Sequence, residues 1–243
     1  MLTLPSLHAE AALFLDFDGT LAEIAPRPDA VRTAPELVAI LGALSTRLGG
    51  ALAIVSGRPI ADLDHFLAPL RPALAAEHGA LLRFPDGSIQ RCEPPDLREA
   101  VHAARGLIER HEGEGLVLEE KSAAVALHYR GAPRLEAQCH DAFAAIVARH
   151  PDLELLRGKC LVEIKRAGVD KGGAIASLMG RAPFAGRQPI FAGDDVTDET
   201  GFARVQAMGG HGIKVGDGAT VATHTCESPE ALRRWLAASA EAA

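Results

Sequence analysis

The chain has 243 residues, with 25 basic against 32 acidic and a formal net charge of −7 at pH 7. No run of Lys or Arg concentrates positive charge, which argues against a nucleic-acid partner, and no segment approaches an apolar membrane span. Hydrophobic residues make up 48% of the sequence, enough for a large α/β core or a core with a smaller domain, while aromatics at 4% point to a core built from Leu, Val, Ile and Ala.

Residues 1–10 read as a lead-in. The apolar run 11–15 then ends abruptly in Asp16-Phe17-Asp18-Gly19-Thr20, the pattern of a buried strand whose C-terminal end opens into a site. Alternate side chains share a face, so Asp16 and Asp18 can address one centre. Carboxylates this close require a cation or a shared proton. Magnesium meets that need, because a hard cation takes oxygen ligands and gathers phosphate oxygens. Gly19 permits a tight turn beside an anion, and Thr20 offers a hydroxyl. Taken alone, the pentapeptide also fits an ordinary surface turn.

Residues 22–35, with three prolines, read as a loop over the mouth of the site. The stripe Leu37, Ile40, Leu41, Leu44 and Leu48 predicts a helix over 36–48, and 51–55 is the next buried strand. Strand, helix, strand implies a right-handed crossover and a largely parallel sheet. Ser56-Gly57-Arg58-Pro59 precedes a helical stretch at 60–67, which would put Ser56 and its neighbouring amides at an anion-binding helix start; Ser56 as a simple N-cap is the rival reading. A strand at 74–76 leads into Glu77-His78-Gly79 and a further strand at 80–84.

From residue 85 the periodicity changes. A strand at 88–92, helices at 97–111 and 133–150, and strands at 116–121, 123–129, 153–157 and 160–164 predict a small α+β domain over 85–165, inserted between 1–84 and 166–243. Such a lid can exclude water and read the unreactive part of a substrate. Its polar points of interest are Glu119, Glu120, Lys121, Gly158, Lys159 and Glu163. Lys171-Gly172-Gly173 starts a helix against the dipole preference, so phosphate and Asp16 are the electrostatic reasons offered for Lys171. A strand at 188–192 ends in Gly193-Asp194-Asp195-Val196-Thr197-Asp198-Glu199, where four carboxylates demand a counter-charge and magnesium fits the same corner. Strands at 211–215 and 221–226 and a helix at 229–238 close the chain, with Arg204, Lys214 and His224 expected to be solvated or structural. Cys92, Cys139, Cys160 and Cys226 lack metal-ligand spacing and read as reduced thiols, and the N-terminus has no leader pattern; both predict a cytoplasmic protein.

Leu15-Asp16-Phe17-Asp18-Gly19-Thr20-Leu21 resembles the first motif of the haloacid dehalogenase superfamily. By that resemblance Asp16 is the nucleophile on phosphorus and Asp18 the acid and then base, while Ser56, Gly57 and Lys171 join Asp16 in binding phosphate. Asp194 would be a direct magnesium ligand, helped by Asp195 or Asp198, with the Asp16 carboxylate and the Asp18 carbonyl completing the set. The Gly-Asp-Asp-x-Thr-Asp-Glu form at 193–199, with Ser-Gly-Arg at 56–58, is similar to the trehalose-phosphatases. The run from Gly158 and Lys159 to Glu163 resembles the pattern by which their caps hold glucose hydroxyls. Substrate-binding roles for Arg58, Glu77, His78, Gly79, Glu119, Lys121, Gly158, Lys159 and Glu163 follow from the resemblance, which covers nearly the whole chain in order.

It implies an α/β protein, a Rossmann-like largely parallel sheet core with an inserted α+β cap, acting as a magnesium-dependent phosphomonoester hydrolase on trehalose 6-phosphate. The partner it implies is a small-molecule sugar phosphate substrate; charge and hydropathy leave neither nucleic acid nor membrane as partner, a monomer is expected, and association with a trehalose-phosphate synthase in trans stays open. Two alternatives stay open: a phosphatase of another glycosyl phosphate, such as sucrose 6-phosphate or glucosylglycerol phosphate, and a non-catalytic sugar-phosphate-binding module.

Overall fold

The computed structural model describes residues 4–24, 31–121, 123–158 and 160–241. The chain divides into two compact units, Met1–Arg91 with Asp170–Ala243, and Cys92–Val169.

The first unit begins with β1 (Ala11–Leu15), apolar and buried at every position, as a central strand covered on both faces must be. After it come α1 (Leu37–Arg47), β2 (Leu52–Val55), α2 (Ile60–Leu67) and β3 (Ala73–Ala76). A turn at Glu77–Gly79 then reverses the chain into β4 (Leu81–Arg83), and β5 (Ile89–Arg91) pairs antiparallel with β4.

The second unit holds α3 (Arg98–Arg110), β6 (Val117–Glu120), β7 (Ala124–His128), α4 (Glu136–Val147), β8 (Leu153–Gly158) and β9 (Leu161–Arg166). Among the described residues its sheet has four strands, ordered β6-β7-β9-β8 and antiparallel throughout. Strand alternation sends Val125, Leu127, Val162 and Ile164 into one core with Leu107, Phe143 and Ile146 of the helices. Ala126 and Glu163, which are register partners, take the opposite face.

The chain then returns to the first unit through α5 (Lys171–Met179), β10 (Gln188–Gly193), α6 (Glu199–Ala207), β11 (His211–Val215), β12 (His224–Cys226) and α7 (Pro229–Glu241). The larger sheet, eight-stranded among the described residues, runs β12-β11-β10-β1-β2-β3-β4-β5 and is parallel as far as β3. The order moves outward from β1 through β2 and β3 on one side, and from β10 through β11 and β12 on the other. The carboxyl ends of β1 and β10 therefore flank the switch point where such sheets place ligands.

Two expectations need correction. The strand expected at 88–92 in the inserted domain is β5, held by β4 in the larger sheet, so the second unit starts at Cys92 and not at 85. Its other limit lies at Val169 and not at 165, because β9 continues to Arg166 and the Lys165 ammonium ties Glu154 to the Val169 carbonyl. The buried side chains are mostly Leu, Ala, Val and Ile, as expected, and the few aromatics join them: Phe14, Phe17, Phe143, Phe184, Phe191 and Phe202 are among the largest fully buried side chains. Phe14 stacks on Phe184 at 5.4 Å, and Phe191 meets Phe202 at 5.3 Å. All four cysteines are free thiols, and among the described residues no helix is long and apolar enough to cross a membrane.

Candidate active site

Asp16 follows β1 directly, and its amide donates to the Ala192 carbonyl at 2.9 Å, so the ladder to β10 carries it into the switch point. The side chain is buried, and its Oδ1 accepts from Lys171 Nζ at 2.8 Å. Lys171 opens α5, whose N-cap Asp170 accepts from the Gly173 amide at 2.7 Å and fixes the helix start. The same ammonium donates to Asp198 Oδ1 at 2.6 Å. Asp198 is fully buried, and its Oδ2 accepts from the amides of Asp194 and Asp195 at 3.0 and 2.9 Å, forming with Asp195 a reciprocal cap that shapes the loop after β10.

One carboxylate oxygen from each of Asp16, Asp194 and Asp198 lies within 4.8 Å of the others. Gly19, at φ +77°, makes this approach feasible, because a Cβ there would collide with the Asp194 carboxylate. Three carboxylates facing one lysine leave an excess of negative charge, and hard oxygen donors of this kind suit a divalent cation. The electrostatics agree. Burial, opposed by Lys171 and reinforced by Asp198 and Asp194, raises the Asp16 pKa well above its ordinary value. Burial and the Asp198 charge push Asp194 up to about 6. Burial works against the Lys171 charge, but Asp16 and Asp198 outweigh it and raise its pKa.

A pH dependence follows for the metal-free protein. Folded Asp194 holds a proton that the unfolded chain releases near pH 4, so the folded state binds more protons in that window and stability falls as pH rises from about 4 through about 6. Asp16, shifted the same way, adds to the decline. Urea denaturation in chelator should show it, and Asp194→Asn should flatten it; identical pH profiles for the two proteins would contradict the assignment.

Other expected residues fall elsewhere. Both oxygens of Asp18 accept from Arg58, at 2.6 and 2.7 Å, and the guanidinium lies over Phe17 and Phe66 at 5.6 and 5.0 Å. Arg58, expected toward the substrate, thus holds Asp18, and the Asp18 side chain stands apart from the carboxylate cluster. Asp195 also stays out of the cluster, since its carboxylate caps the next turn through the Val196 amide at 2.7 Å. Of the two candidate supports, it is Asp198 that reaches both Lys171 and the Asp194 loop.

Ser56 is buried, and its Oγ accepts the Arg58 amide at 3.2 Å. It does not cap α2, whose N-cap is Pro59, so the Ser56 loop is set by this local bond and by the hydrogen bond that the Ser56 amide donates to the Ala75 carbonyl at 2.8 Å.

Lys214, expected to be solvated or structural, is structural: it is only 6% exposed and donates to the carbonyls of Asp194 and, at 3.1 Å, Val215. Its register partner on β10 is Gly193, which places it beside the acidic loop. A lysine inside a short buried strand was the available signal.

In the second unit Glu119 pairs with His128 at 2.8 Å, and Lys121 with buried Glu163 at 2.6 Å. Glu119 and Glu163 both lie opposite Ala126 across the sheet, so they share a face. Among the described residues, Glu163 Oε1 is buried without a hydrogen-bond partner. Gly158 ends β8 at the hairpin to β9, and Lys159 lies outside the described residues.

The family model for trehalose-phosphatase matches residues 14–230. The chain is 42% identical over 234 residues to the trehalose-6-phosphate phosphatase of Escherichia coli (strain K12), covering 96% of this chain and 87% of that protein. It superposes on a crystal structure titled trehalose-6-phosphate phosphatase related protein with a TM-score of 0.72 at 29% identity, covering 92% and 94% of the two chains. For the C-terminal domain of the Candida albicans trehalose-6-phosphate phosphatase the TM-score is 0.83 at 22% identity, covering 98% of each, a likeness of fold. The lysine-braced carboxylates at the switch point and these similarities together place the chain in the trehalose-phosphatase family of the haloacid dehalogenase superfamily.

Proposed function

We propose that this protein hydrolyses trehalose 6-phosphate to trehalose and inorganic phosphate through a phosphorylated Asp16. The observation that carries the reading is the convergence of Asp16, Asp194 and Asp198 around Lys171. Binding alone would not require a buried carboxylate held against a lysine at the mouth of a phosphate site.

In the first step an Asp16 oxygen bonds to phosphorus as the bond to the sugar oxygen breaks, and Asp18 gives that oxygen its proton. In the second, Asp18 takes a proton from water, whose oxygen attacks phosphorus and frees Asp16 and phosphate. Both oxygens of Asp18 accept from Arg58 here, which orients the carboxyl and leaves each oxygen a second lone pair for the proton. Ser56, with the Gly57 amide, orients the phosphoryl oxygens, and Lys171 offsets their charge. Asp16, Asp194 and the Asp18 carbonyl would hold magnesium, which when bound supplies further charge stabilisation to the transferring group; Asp198 supports this by fixing Lys171 and the Asp194 loop.

Sugar recognition is assigned to Glu119, Lys121, Gly158, Lys159 and Glu163. The buried Glu163 Oε1, next to an oxygen already paired with Lys121, suits a hydroxyl donor. Glu163→Gln should raise KM for trehalose 6-phosphate about tenfold to a hundredfold with a smaller change in kcat, since a charge-assisted hydrogen bond is lost. An unchanged KM would remove Glu163 from the sugar site.

The deciding experiment is phosphate release from trehalose 6-phosphate, sucrose 6-phosphate and glucose 6-phosphate at matched concentrations, with magnesium and with chelator. Preference for trehalose 6-phosphate, lost in chelator, is expected. Equal turnover of all three would overturn the substrate assignment, and no turnover would overturn the enzyme.

A further inference from the structure

Glu77 and His78 both adopt left-handed backbone conformations, at φ 49° and 57°, and Gly79 follows at φ 106°. Two consecutive non-glycine residues in that region persist only where their surroundings over-determine them. Here the Glu77 amide donates to the Arg58 carbonyl at 3.1 Å and the His78 amide to the Ser56 carbonyl at 3.0 Å, so the turn grips both ends of Ser56-Gly57-Arg58.

The His78 imidazole packs against Gly57 so closely that a Cβ there would stand 2.5 Å from Nε2 and 2.6 Å from Cε1. On its other side the turn abuts the start of α5: a Cβ on Gly79 would lie 2.9 Å from both the Ala174 methyl and the Asp170 carbonyl oxygen. One strained turn therefore touches the loop bearing Ser56 and the helix start bearing Lys171.

We infer that Glu77-His78-Gly79 is a positioning element for the phosphate site, in which His78 acts by buttressing Gly57 and not by touching the sugar. The inference rests on the reading that Ser56, Gly57 and Lys171 receive the phosphoryl group. A rigid brace between them fixes the separation of the Ser56 loop and the Lys171 ammonium before substrate arrives, which is how pre-organised donors act without reorganising during reaction. It also gives a reason for glycine at position 57, where a Cβ would meet the imidazole.

The test is a double-mutant cycle on the full chain, read by calorimetric affinity for inorganic phosphate in magnesium and by kcat and KM for trehalose 6-phosphate. Gly57→Ala should weaken phosphate binding about tenfold by driving its methyl into the imidazole. His78→Asn, which tolerates the left-handed conformation and lacks the ring tip, should weaken it only a few-fold. The double variant should recover most of the Gly57→Ala loss. A double variant no better than Gly57→Ala would overturn the inference.

His78→Asn alone also decides the matter should Gly57→Ala not fold. A raised KM for the sugar phosphate with unchanged phosphate affinity would put His78 on the sugar and overturn the buttress. If the cycle holds while the wild type leaves trehalose 6-phosphate intact, the brace stands and the proposed substrate falls.

Discussion

Asp16→Asn should lower phosphate release from trehalose 6-phosphate by about 10,000-fold or more, because an amide oxygen is a poor nucleophile and catalytic groups acting as a unit fail together. The fold should survive the change. Asparagine fills the same volume and keeps an acceptor for Lys171 Nζ, now 2.8 Å from Oδ1. It also removes a charge that burial and the neighbouring Asp198 and Asp194 disfavour, so the melting temperature should stay level or rise. Phosphate-release kinetics, a thermal melt and mass spectrometry of acid-quenched protein check these points together. Wild type should carry a phosphate adduct that the variant lacks, and full activity in the variant would end the assignment of Asp16 as nucleophile.

Lys171→Met should be the most destabilising change at the site. The ammonium is 3% exposed and bridges Asp16 and Asp198. Its removal leaves two buried carboxylates facing each other, a situation that typically costs about 3–5 kcal/mol. Asp16 can relieve part of this by taking up a proton, so the loss should shrink as pH falls, and magnesium should relieve another part by replacing the missing charge. Urea denaturation at two pH values, with and without magnesium, measures all three effects. Activity should fall at least a hundredfold, as when a pre-organised charge is withdrawn from a transferring group. A stability loss below about 1 kcal/mol at every pH would show that the cluster is not electrostatically coupled.

The legibility of the site differed from residue to residue. Asp16, Lys171, Asp194 and Ser56 could be found because each sits where an apolar strand gives way to polar residues, or where a helix starts with the wrong charge. Asp195 and Asp198 could not be told apart in this way, since both lie in one acidic run. Three-dimensional packing separates them: Asp198 turns inward to Lys171, and Asp195 turns to the Val196 amide. The partners of Arg58 and Lys214 could not be read from the sequence, because those of a long cationic side chain depend on elements distant in sequence, here Asp18 and the Asp194 carbonyl. The β5 strand was assigned to the inserted unit because three exposed residues, Ile89–Arg91, carry no periodicity to show which sheet will pair with them.

What the sequence determined by itself was the alternation of buried strands and helices, the switch-point carboxylates and the family. Apolar periodicity and abrupt polar endings are local properties, legible wherever neighbours along the chain share an element. What only the tertiary structure decided was which carboxylates meet, what Arg58 and Lys214 hold, and how the strained turn at Glu77-His78-Gly79 joins the Ser56-Gly57-Arg58 loop to the start of α5. These contacts link residues far apart in the chain, as Lys171 and Asp16 are bonded across 155 positions, and such pairings arise from sheet order and packing that local spacing does not encode.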